Sequence, residues 1–117
     1  MSRRGDLLYF GHMLDAAKGI QARVVGRTRA EFDASEDLQI ILTHLLQVIG
    51  EAARNVPDET RLANPEIAWI EIVGMRHRIV HNYTDINLNV VWKAATEHVP
   101  LLIAALENIT PPEPPSA

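Results

Sequence analysis

The chain has 117 residues, of which 47% are hydrophobic and 22% charged, and a formal net charge of -4; this is the balance of one soluble globular domain with its own core. It contains no cysteine, which excludes disulfides, thiol nucleophiles and thiolate metal sites, and no apolar run reaches the length of a bilayer span. The acidic balance also argues against a free-standing, strongly electrostatic nucleic-acid binder, because phosphate affinity comes mainly from Lys and Arg, so any nucleic-acid contact is local.

At the N-terminus, Asp6 and His12 interrupt the apolar stretch that follows Arg3 and Arg4. Neither a secretory signal nor an amphipathic import sequence fits, and a cytoplasmic location is expected. From there Leu7, Phe10, Leu14, Ala17 and Val24 recur at helical spacing with Asp6 placed as N-cap, which predicts a first helix. The polar connector GRTRAEFDASED follows, and Ser35 with Asp37 offers capping before LQIILTHLLQVIGEAARN, a second helix over about Glu36 to Asn55. Leu38, Ile41, Leu42, Leu45, Ile49 and Ala52 form one stripe on it, while Ile40, Leu46 and Ala53 lie elsewhere. So much apolar circumference marks a central helix, or one that also faces a partner subunit.

VPDETRLANPEI is a Pro-punctuated connector with room for one turn of helix, and Pro65 stands where prolines open helices. IAWIEIVGMRHRIVHN reads as a third helix, with Trp69, Val73, Arg76 and Val80 on one stripe. Asn87 or Asn89 can cap the last helix, LNVVWKAATEHVPLLIAALENI, which Pro100 should kink or split because it lacks the N–H that would bond one turn back. The tail TPPEPPSA cannot be helical. The expectation is an all-α protein, a four-to-five-helix up-and-down bundle, with residues 1–110 as one domain and 111–117 as a Pro-rich flexible tail.

The chemistry concentrates in GMRHRIVHNYT, residues 74–84. His77 and His81 share a helix side at a metal-ligand spacing, but HxxxH lacks the glutamate of the metalloprotease signature, a third ligand is missing and Arg76 and Arg78 oppose a cation, so no metal and no other cofactor is expected. No acid lies between Glu71 and Asp85, leaving the arginine fields uncancelled and a phosphate welcome. Histidine exchanges a proton near neutral pH and arginine brackets phosphoryl oxygens. Together they suffice for metal-free RNA cleavage, in which the 2′-hydroxyl attacks the adjacent phosphorus. On spacing alone a plainer reading stays open, in which Arg and His near a helix C-terminus complement the macrodipole.

These residues resemble the HepT family of bacterial toxins, within the HEPN superfamily of all-helical ribonucleases. Its R-x-x-x-x-H-x-Y pattern is present as Arg76, His81 and Tyr83, flanked in order by Gly50-Glu51-Ala52, Ile67-Ala68-Trp69, Gly74-Met75, Val91-Trp92 and Pro100. The resemblance runs from about Leu7 to Ile109. It implies a homodimer with Arg and His of both subunits lining one cleft, Arg76 holding the scissile phosphate and His81 transferring protons, with His77 and Arg78 as secondary site candidates. It further implies the toxin of a type VII-like toxin–antitoxin system, a metal-independent endoribonuclease acting on tRNA or mRNA. Its partner would be an MntA-like minimal nucleotidyltransferase antitoxin that places AMP on Tyr83. A rival class within the same superfamily binds or scaffolds RNA without cutting it. Glu51 is read either as orienting an arginine or as an exposed helical glutamate, and Gly50 as a point where another helix or chain comes close, since glycine in a helix costs about 1 kcal/mol relative to alanine.

Overall fold

The computed structural model describes residues 3–79 and 85–109. It is built of helices: α1 (Arg3–Val24), α2 (Arg29–Asp33), α3 (Glu36–Arg54), α4 (Asp58–Ala63), α5 (Trp69–Ile79), α6 (Leu88–Lys93), a π-helical turn (Ala94–His98) and α7 (Val99–Ile109). The all-α expectation holds. Four long rods, namely α1, α3, α5 and the continuous α6–π–α7 segment, make the bundle. The rod α3 is central and packs on α1, α5 and α6, while α1 also packs on α7. Residues 110–117, which carry the expected tail, lie outside the described residues. Among the described residues no helix is long and apolar enough to cross a membrane.

Local chemistry explains most boundaries. The Ser35 hydroxyl accepts from the Leu38 N–H and opens α3, and the Asn87 side chain accepts from the N–H groups of Asn89 and Val90 and opens α6. The connector before α3 is more structured than its polarity suggests. Thr28 and Glu31 form a reciprocal capping box that starts α2, and the two hydrogen bonds from Thr28 hold the Glu31 carboxyl below its usual range. That contribution is present above the unfolded carboxylate's pKa and is lost as pH falls through the lowered one. Phe32 of α2 is fully buried with its ring 5.1 Å from that of Trp92, and Arg29 donates to Asn89 at 2.7 Å, so α2 clamps the start of α6.

Three sequence expectations are corrected. Asp6 does not cap α1, which is already helical from Arg3; instead its buried carboxylate accepts from the Thr60 hydroxyl at 2.6 Å. The buried stripe of α1 is Phe10, Met13, Ala16, Ala17 and Ile20, and that of α3 includes Leu46 and Ala53 but leaves Ile40 and Ile41 exposed. Both stripes are rotated from the expected ones because each helix must face two neighbours at once. Pro65 sits in a turn four residues ahead of α5, which begins at Trp69. What sets that start is a corner built on Trp69, whose indole N–H donates to the carbonyls of Arg61 and Asn64.

Pro100 splits the last helix, as its missing N–H requires. The preceding turn widens to π, with the Val99 N–H reaching the Ala94 carbonyl five residues back. The extra room relieves the proline ring and the Thr96 carbonyl it cannot bond. The far end of α3 is closed by Arg61, which donates to the carbonyls of Ala53, Arg54 and Val56 and lies over the Trp69 ring. Ala53 and Arg54 belong to the last turn of α3, whose carbonyls have no partner further along the helix axis, and Val56 lies in the turn just beyond it. Arg61→Ala is therefore expected to cost about 1 to 3 kcal/mol, read as a lowered chemical-denaturation midpoint, because it uncaps α3 and loosens the corner from which α5 starts.

Candidate active site

Helix α5 carries the motif arginine toward α3. Gly50 eases this approach: a Cβ there would stand 3.2 Å from the Ile72 carbonyl oxygen, tighter than ordinary contact, so the α5 backbone would have to give way by a few tenths of an ångström. This is the close approach expected from a glycine inside a helix. Four residues further along α5, Arg76 emerges exposed beside the polar side of α3.

Two adjoining depressions share Arg76. One is a narrow cleft lined by Gln47, Gly50, Glu51, Arg54, Val73, Arg76 and His77. The other is an open groove of about 260 Å³ lined by His44, Gln47, Val48, Glu51 and Arg76. Glu51 pairs loosely with Arg54 at 3.9 Å. Among the described residues, no hydrogen bond or ion pair holds the side chains of Arg76, His77, His44 or Gln47, so their donors stand ready for a ligand.

Arg78 is placed differently. Two residues on from Arg76, and so about 200° around the helix, it lines a separate cleft on the other side of α5. That cleft lies against Ala94, His98 and Val99, with an apolar floor from Leu46, Ile49, Ile72 and Met75. The run of positive charge in the sequence therefore divides within one chain: Arg76 and His77 address α3, and Arg78 addresses the π turn and α7. His81 and Tyr83 lie outside the described residues. At the end of α5, the Asn87 N–H donates to the Ile79 carbonyl at 2.7 Å.

Sequence reading had not singled out His44, Gln47 or Arg54. A signal for them existed: with Glu51 they recur at intervals of three and four residues, a polar line along a helix otherwise read for its apolar stripe.

Chemically, this end of α5 offers a guanidinium free to bind phosphate, two imidazoles and an amide, with one carboxylate partly neutralised by Arg54. A family model described as ribonuclease HepT-like matches residues 13–109. A protein of Thermococcus cleftensis named "Probable ribonuclease HepT" is 32% identical over 79 residues, 68% of this chain and 72% of the relative. A candidate RNase of Caldanaerobacter subterraneus subsp. tengcongensis is 30% identical over 101 residues, 86% of this chain and 90% of the relative. A candidate RNase of Methanocaldococcus jannaschii is 27% identical over 109 residues, 93% of this chain and 100% of the relative. Among solved structures no significant match was found. With the family model running from Met13 in α1 to the end of α7, and relatives matched across most of their own length, this chain belongs to the HepT-like ribonuclease family.

Proposed function

We propose that this protein is the toxin of a type VII-like toxin–antitoxin pair, a metal-independent endoribonuclease that works as a cytoplasmic homodimer. The observation that carries the reading is Arg76, exposed on a groove and without a protein partner among the described residues. A permanent planar cation left uncommitted in an acidic chain is suited to a phosphate. In the reaction, the substrate's 2′-oxygen forms a bond to the adjacent phosphorus as His81 accepts its proton. Arg76 offsets the charge of the phosphorane, and the bond to the 5′-oxygen breaks with return of a proton to that oxygen.

Dimerisation would bring two Arg76 side chains to one cleft and concentrate positive charge that a single acidic chain lacks. It would also cover an exposed apolar residue, Leu101 on α7. In this reading residues 1–110 act as one domain and 111–117 take no part in the chemistry. His77 remains beside Arg76 as a second imidazole in the cleft, and Arg78 serves the other face of α5. Control comes from an MntA-like nucleotidyltransferase that transfers AMP to Tyr83.

The test is digestion of tRNA and total RNA by the unmodified protein in excess chelator, with mass spectrometry of the fragment ends. Fragments ending in 2′,3′-cyclic phosphate with matching 5′-hydroxyls are expected. Activity that vanishes with chelator, or 5′-phosphate ends, would exclude the mechanism. RNA binding with no cleavage at all would favour the scaffold alternative.

A further inference from the structure

We propose that the α3 side of the Arg76 groove is a nucleotide subsite, in which His44 and Gln47 hold a single-stranded RNA segment next to the bond that Arg76 addresses. The inference rests on the ribonuclease reading above and adds to it a second helix that engages substrate. His44 and Gln47 are three residues apart and so project from one side of α3, and both line the groove that Arg76 closes from α5. The packing of α5 on α3, with the Ile72 carbonyl close to Gly50, sets that side of α3 next to Arg76.

The chemistry of the lining selects the ligand. Arg76 and His44 suit phosphate oxygens. Gln47 presents both donors and an acceptor, as a base edge requires. Glu51, the carboxylate of the groove, is turned toward Arg54 at 3.9 Å, which reduces its repulsion of an anion. A protein-docking surface would instead concentrate aromatic and aliphatic residues at its centre and shed charge; here Val48 is the apolar member of the lining. The groove is open at the surface, and His44 is exposed, so a strand can lie along it without a conformational change. RNA is therefore favoured over a protein partner.

The experiment measures fluorescence anisotropy of a labelled 2′-O-methyl RNA oligonucleotide, which lacks the attacking hydroxyl and stays intact, against the full chain and its His44→Ala, Gln47→Ala and Lys18→Ala variants. Lys18 pairs with Glu107 outside the groove and serves as control. His44→Ala and Gln47→Ala should each weaken binding about tenfold, the size of one hydrogen bond to a charged or polar group, and raise KM for cleavable RNA by a similar factor with kcat kept. Lys18→Ala should match wild type. Circular-dichroism melts confirm that the variants are folded.

Wild-type affinity in both groove variants would overturn the subsite while leaving the nuclease reading intact, provided Arg76→Ala is inactive. Unchanged RNA affinity together with loss of nucleotidyltransferase binding would show the face to be a protein-docking surface and also overturn it. Full cleavage by Arg76→Ala would strike the underlying reading itself.

Discussion

Arg76→Ala and His81→Ala should each lower RNA cleavage by about 10² to 10⁴-fold, the usual cost of removing a proton-transfer group or a preorganised charge at the reacting phosphate. The effect should fall on kcat more than on KM, because the charge that Arg76 offsets develops in the transition state. Folding should be spared. Arg76 is exposed and makes no hydrogen bond or ion pair among the described residues, so its truncation removes no structural contact of that kind. Arg76→Lys should recover only part of the loss, since an ammonium lacks the planar fork that grips two phosphoryl oxygens. Light scattering on the same preparations should report dimers for wild type and both variants. A wild-type monomer at micromolar concentration would count against a cleft shared by two subunits, and robust cleavage by either alanine variant would remove that residue from the mechanism.

Tyr83→Phe should separate toxicity from its control. The substitution keeps the aromatic ring but deletes the oxygen proposed to accept AMP, so the variant should remain an active nuclease that the antitoxin cannot modify. The physical basis is charge. An AMP phosphodiester two residues beyond His81 in sequence carries negative charge, which on the proposed reading would offset the field of Arg76 and repel an incoming RNA phosphate, as a phosphoryl group does in other switches. Incubation with the nucleotidyltransferase, ATP and Mg²⁺ followed by intact-mass measurement should show AMP units on wild type and none on Tyr83→Phe. Inhibition of wild type without any mass change would mean that the antitoxin works by occupying the site, and Tyr83 would revert to a packing role.

Much of this fold was legible because helices announce themselves locally. Ser35 and Asn87 were readable as caps, and the structure shows both side chains accepting from the first turn they open. Pro100 was readable as a break, since an absent N–H leaves its mark in any surroundings, and the π turn is how the backbone absorbs it. Gly50 was readable as a close approach, and the Ile72 carbonyl supplies the neighbour. The capping box at Thr28 and Glu31 is equally local, although it stands in a polar connector with no apolar stripe to point to a helix.

What the sequence by itself determined is therefore what depends on neighbours along the chain: helix content, the capped starts of α3 and α6, and the R-x-x-x-x-H-x-Y pattern that marks the family. The tertiary structure decided which face of each helix is buried and which side chains share a site. Spacing relates two residues of one helix by rotation, and that is why Arg76 and Arg78 can be told apart once neighbours are in place. It says nothing of which residues of another helix stand opposite. His44 and Gln47 reach Arg76 only through the packing of α3 on α5 at Gly50, and Asp6 finds Thr60 only when α1 meets α4. These pairings are set by how apolar stripes on several helices are satisfied together, a condition on the whole molecule that no single stretch of the chain contains.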